Sequence, residues 1–186
     1  MRRNPAFTII ELIVVLLVLA LILLAVSNFE LFSRFQINDL DRNIKLQNDV
    51  YYVSSLISKD LNNAIGAVND WPVSITSSGG NTSLITIYLD YNKNGVKDAT
   101  PTDRVVAYEY DAASYSLRQY ADYSGSPAVY SVLSNKITGF QCITPGVNSY
   151  VYFSIQARST PSAAVSASNP EIQLRSAGEM PSLSVN

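Results

Sequence analysis

The chain has 186 residues, enough for one domain and one extra element. Its 13 basic and 15 acidic side chains nearly balance, so no strongly basic face is available to bind nucleic acid by charge. It has no histidine and a single cysteine, Cys142, which excludes a histidine-based catalytic triad, a histidine-ligated metal and an intramolecular disulfide.

The first charge cluster is Arg2 and Arg3, and Phe7–Val26 follows as a nearly unbroken apolar run. A helix of about twenty residues covers about 30 Å, the thickness of a bilayer's hydrocarbon core. The basic pair before it predicts a cytoplasmic N-terminus and a body outside the inner (cytoplasmic) membrane. A secretory signal would have a core of about 7–15 residues and a small-residue cleavage site behind it. This run is longer, and Ala25-Val26-Ser27-Asn28 is an imperfect exit site. A plain anchor explains the length and the arginines but leaves Glu11 unexplained. A charge in the bilayer centre costs at least ~2.5 kcal/mol, so an intramembrane acid is a functional candidate by default.

The sequence "RRNPA" followed by "FTIIELIVV" resembles the N-terminus of type IV prepilins and pseudopilins. The resemblance implies that prepilin peptidase cuts between Ala6 and Phe7, that Phe7 is then N-methylated, and that Glu11 becomes the fifth residue of the mature chain. In that family the glutamate is thought to pair with the freed ammonium of a neighbouring subunit, setting register during assembly. The partners so implied are other pilins, prepilin peptidase, an inner-membrane assembly platform and membrane lipid. Filaments of this kind serve type IV pili, type II secretion and competence, at the cell surface or in the periplasm. The chain departs from the family at Ala6, where Gly is usual. Ala20 and Asn28 stand where major pilins often carry Gly and Pro, which favours a minor pilin or pseudopilin. The bland alternative for Glu11 is a carboxylate sitting near the headgroups.

Beyond Val26 the apolar positions become periodic. Leu40, Ile44, Val50, Val53, Ile57 and Leu61 recur at helical spacing with Gln47 in the missing slot, and Phe29, Phe32 and Phe35 lead into them. Asp39, Asp41, Arg42, Lys45, Asn48 and Asp49 suit the wet face. That pattern predicts an amphipathic continuation over residues 27–66, capped at Gly66, and one helix of nearly sixty residues in all.

After Gly66 the period changes to two. Predicted strands are Val73–Thr76, Leu84–Asp90, Arg104–Tyr110, Ser116–Tyr120, Tyr130–Leu133, Ile137–Ile143, Tyr150–Ala157 and a weaker Glu171–Arg175. "SSGGN", "NKNG", "SGSP", "TPG" and "TPSAA" supply turns, and Ser159–Asn169 reads as a long flexible loop or hairpin tip. The expected fold is α+β and pilin-like, one long helix packed on an antiparallel β-sheet. The expected organisation is a leader over 1–6, a membrane and assembly helix over 7–26, its amphipathic continuation over 27–66 and a β-rich domain over 67–186. The run "VVAYEYDAASYSLRQY" also resembles the sheet region of the larger minor pseudopilins.

One segment has metal-ligand spacing. In "DYNKNGVKD", Asp90, Asn92, Asn94 and Asp98 match positions 1, 3, 5 and 9 of an EF-hand-type calcium loop, with Gly95 at the sharp turn. Position twelve is Pro101 in place of the bidentate glutamate, with Asp103 as a substitute in a longer loop. The competing reading is a hairpin turn, which Asn94-Gly95 favours by itself. Calcium is an optional structural clamp on this reading, and no cofactor is required. No catalytic constellation stands out: there is no G-x-S-x-G elbow, and Glu109 and Asp111 read as alternate residues of one strand. The function expected is therefore a structural filament subunit and not an enzyme. The alternative is a membrane-tethered binding domain that never enters a filament.

Overall fold

The computed structural model describes residues 8–66, 70–98, 103–123, 129–144 and 149–180. Helix α1 (Ile9–Asn62) runs unbroken for 54 residues, with no proline or glycine in it. The chain divides into two compact units, residues 1–42 and 43–186.

In the first unit the side chains of α1 are exposed on every face, as an all-round apolar cylinder must be without its own core. Between Leu12 and Val26 there is no polar side chain. The next one, Ser27, turns its hydroxyl back onto the Leu23 carbonyl at 2.9 Å. An ion pair between Arg34 and Glu30 and another between Arg42 and Asp39 brace the polar turns that follow.

In the second unit the remainder of α1 buries Leu46, Val50, Val53, Ser54, Ile57 and Leu61. This stripe corrects the predicted one: Leu40 and Ile44 are 58% and 55% exposed, and Leu46 is fully buried. At 3.6 residues per turn Leu46 lies within about 40° of Val50, while Leu40 and Ile44 lie about 80–120° round the axis. The helix also ends at Asn62, four residues before the predicted boundary. Its end is closed by Asn63 N–H to the Asp60 carbonyl and by the Asn63 side-chain amide to the Lys59 carbonyl. Gly66 is not the cap. A Cβ there would lie 2.6 Å from the Asp70 carbonyl oxygen and Pro72, so it marks a close chain approach.

Among the described residues eight strands follow, in two antiparallel sheets where one was expected. The first is a meander of β1 (Val73–Ser78), β2 (Asn81–Leu89), β3 (Arg104–Asp111), β4 (Ser116–Tyr120) and β5 (Ser131–Ser134), in that order. The second is β6 (Ile137–Ile143), β7 (Tyr150–Ala157) and β8 (Ile172–Glu179). The β1–β2 hairpin turns at Gly79 and Gly80, both at positive φ, as a two-residue turn requires. The sheets meet where the Thr82 hydroxyl accepts the Cys142 N–H at 2.8 Å and Gln141 donates to the Gly80 carbonyl at 3.1 Å.

Strict alternation along β7 sends Val151, Phe153, Ile155 and Ala157 inward. They join Ile85, Ile87, Tyr108, Leu117, Phe140 and Met180 in one core with the helix stripe. Gly178 of β8 lies so close to the helix that a Cβ would sit 2.5 Å from Leu61 Cβ. The Tyr108 hydroxyl donates to Asp60 Oδ2 at 2.6 Å and accepts from the Gln119 side-chain amide at 3.1 Å, tying the last turn of α1 to β3 and β4. The segment from Arg158 to Glu171 is the tip of the β7–β8 hairpin, the second of the two readings expected for it, and hydrogen bonds organise it. Asn169 accepts the Thr160 N–H and donates to the Thr160 and Ala164 carbonyls, and Arg158 pairs with Glu171 at 3.2 Å.

Candidate functional site

Two regions carry the residues singled out in the sequence, one at the head of the helix and one between β2 and β3. Of the first, Ala6 and Phe7 lie outside the described residues. Thr8 and Glu11 are described, and they form a reciprocal cap. The Thr8 N–H and Oγ1 both donate to Glu11 Oε2, at 2.8 and 2.9 Å, and the Glu11 N–H approaches Thr8 Oγ1 at 3.4 Å. Thr-x-x-Glu is a capping-box spacing, and it satisfies amides that the first helical turn otherwise leaves open. A carboxylate near a helix N-terminus is also favoured by the helix dipole. The helix behind it is long and apolar enough to cross a membrane: its best window has a mean hydropathy of 3.4 and no buried residue.

The second region is the β2–β3 connection. Asp90 accepts from the backbone of Asn94 (3.2 Å) and Gly95 (2.9 Å). Asn92 and Asn94 both donate their side-chain amides to Asp98 Oδ2, at 3.0 and 2.7 Å. Their carbonyl oxygens accept the N–H groups of Asn94 and Val96. Gly95 has φ +76°, and Lys93 adopts the left-handed region at +59°. The four predicted ligands are thus brought into one loop, closed by its own hydrogen bonds. Pro101 lies outside the described residues. Asp103 is buried and accepts the Tyr91 and Asp98 N–H groups at 3.2 and 2.7 Å. Lys97 fastens the loop from outside, with its ammonium 2.5 Å from Asp70 and 4.0 Å above the Tyr88 ring. Among the described residues, no group of three or more His, Cys, Asp or Glu side chains is placed to hold a metal ion.

Residues 1–27 match the family described as "Prokaryotic N-terminal methylation motif". Among solved structures, a type IV-like pilin from Thermus thermophilus matches with a TM-score of 0.52 at 10% identity. The match covers 74% of this chain and 97% of that one. The fold is type IV pilin-like. The motif bears on the head of the chain, and the structural likeness bears on the fold alone. No curated protein matches the sequence.

Two residues hold places that the sequence analysis does not give them: Thr8 as a cap, and Asp103, expected as a substitute calcium ligand, as a backbone acceptor. The Thr8-x-x-Glu11 spacing is itself a capping-box signal, set at the edge of an apolar run in which the charge is the more prominent feature. Asp103 had no local signal as a backbone acceptor, because its partners are set by how the loop folds back.

Proposed function

We propose that this chain is a minor pilin or pseudopilin, a structural subunit of a type IV pilus, type II secretion or competence filament. The methylation motif carries the reading: it leads directly into an apolar helix interrupted by a single carboxylate. On this reading prepilin peptidase cuts between Ala6 and Phe7 on the cytoplasmic side of the inner membrane, Phe7 is N-methylated, and the body faces outward. An assembly platform then lifts the chain into a filament of other pilins. Glu11 accepts the freed ammonium of a neighbouring protomer, because two desolvated opposite charges gain strongly from each other and removing either leaves a buried charge unpaired. The role is structural and needs neither a cofactor nor a catalytic group.

Intact-mass measurement of the native protein tests the processing. Loss of Met1–Ala6 with gain of one methyl group is expected, and a chain that retains Met1 or is cut near Ser27 refutes it. Glu11→Ala tests the assembly role. The variant should insert and be cut yet fail to enter filaments. Normal incorporation would refute the assembly role of Glu11, whereas a cleaved parent chain that never enters filaments would favour a membrane-tethered binding domain.

A further inference from the structure

The outer face of the second sheet, opposite the core, holds a cleft of about 320 Å³. Small-ligand clefts run about 300–1,000 Å³, so this one has room for a small ligand. Its shape follows from the strand register. Gln141, Ser154 and Arg175 stand abreast on β6, β7 and β8, and the next row begins Ile143, Tyr152. Ser154 is short, and Gln141, Tyr152, Gln173 and Arg175 form the sides around it.

We propose that this cleft binds an acidic saccharide, with Arg175 on the sugar's carboxylate and the Tyr152 ring against its apolar face. Arg175 is exposed and has no ion-pair or hydrogen-bond partner among the described residues. Of the two acids that flank it in the chain, Glu171 is engaged by Arg158 and Thr138. Glu179 lies four residues along β8, about 13 Å of strand. An unpaired guanidinium fork matches a carboxylate bidentately. Tyr152 is exposed and lies beside Tyr150, ring centroids 6.5 Å apart, and Ile143 extends that wall. The C–H groups of a sugar ring carry slight positive charge and pack on the negative face of an aromatic ring.

The polar groups are already held in place. Gln141 donates to the Gly80 carbonyl at 3.1 Å, and Gln173 donates to Ser154 Oγ at 3.0 Å. Each amide keeps its carbonyl oxygen and a second N–H, and Ser154 keeps a proton to donate. Sugar hydroxyls are donors and acceptors at once, as these groups are. An acidic peptide fits less well: β7 is paired on both edges, to β6 and β8, so a peptide laid over it finds no main-chain partner. The inference does not depend on entry into a filament.

The test is isothermal titration calorimetry on the full chain in micelles of a detergent without sugar headgroups. Trimers of galacturonic acid and of mannuronic acid are the probes. At least one should bind, and its methyl ester, which keeps the rings and loses the charge, should bind about tenfold more weakly, the size of one charge-assisted hydrogen bond. Arg175→Gln should weaken the acid by about the same factor and leave the ester unchanged. Tyr152→Ala should weaken acid and ester alike. Both side chains are exposed, and an unchanged urea midpoint shows that the variants fold. Failure of both trimers to bind at millimolar concentration overturns the proposal. So does an Arg175→Gln chain that binds the acid as the parent does. A glutamate trimer bound as tightly as the sugar acids overturns it too, and marks an acidic-peptide surface instead.

Discussion

Replacing Tyr108 by phenylalanine removes one oxygen from the centre of the protein and leaves the ring volume in place. No cavity forms, so the loss is electrostatic and can be read cleanly. The hydroxyl donates to the Asp60 carboxylate at 2.6 Å and receives the Gln119 amide at 3.1 Å. A hydrogen bond to a charged group contributes about 1.5–3 kcal/mol, and a buried acceptor left unmatched adds to the loss. Asp60 is only partly buried, so water recovers a share, and the expected destabilisation is about 1.5–2 kcal/mol. For a chain of this size that corresponds to a fall in Tm of roughly 3–8 °C. The full chain in detergent micelles, unfolded with urea and followed by the fluorescence of its single tryptophan, Trp71, gives the measurement, because Trp71 packs against the core. A midpoint shift with unchanged slope is expected. A Tyr108→Phe chain within about 0.5 kcal/mol of the parent would refute the idea that this contact holds the last turn of the helix to the sheets.

Three further outcomes follow from the same core. Leu46→Ala should destabilise by about 2–5 kcal/mol and Leu40→Ala by less than about 0.5, measured by the same unfolding assay, because only the former leaves a cavity. Gly178→Ala should cost about 1–3 kcal/mol despite adding one methyl group, since that carbon meets Leu61, and a calorimetric Tm equal to the parent's would contradict the close packing. Burial raises the pKa of Asp60, with Tyr108 and Lys59 opposing it. The folded chain then holds this proton at a pH where the unfolded chain has lost it, so stability from this group falls as pH rises through that window. The parent should gain on Asp60→Asn as pH drops from 7 to 3, and a difference independent of pH would refute the burial argument.

The strands were legible because β-branched and tyrosine residues at alternate positions have no comparable helical reading, and β4, β6 and β7 begin and end where predicted. The division into two sheets was hidden, since alternation reports which face is inward and not which strand lies alongside. The helix was legible as a helix but not in its buried face. Leu40 and Ile44 are apolar at helical spacing yet exposed, so composition pointed to the wrong stripe. The Ser159–Asn169 segment looked loose by composition, yet one buried amide, Asn169, orders it through contacts no local pattern announces. At the helix head, Glu11 was conspicuous as a charge in lipid-like surroundings. In the β2–β3 loop, ligand spacing and turn chemistry use the same Asp, Asn and Gly residues, so sequence alone could not separate them.

The bare stretch from Leu12 to Val26 has a consequence for orientation. A rod coated evenly with hydrocarbon can spin in oil at almost no energetic cost, and Ser27, turned in on its own backbone, offers no handle against that rotation. The single carboxylate near its tip breaks that symmetry: in a filament of the kind proposed, whatever Glu11 points toward would decide which side of the cylinder each neighbour meets.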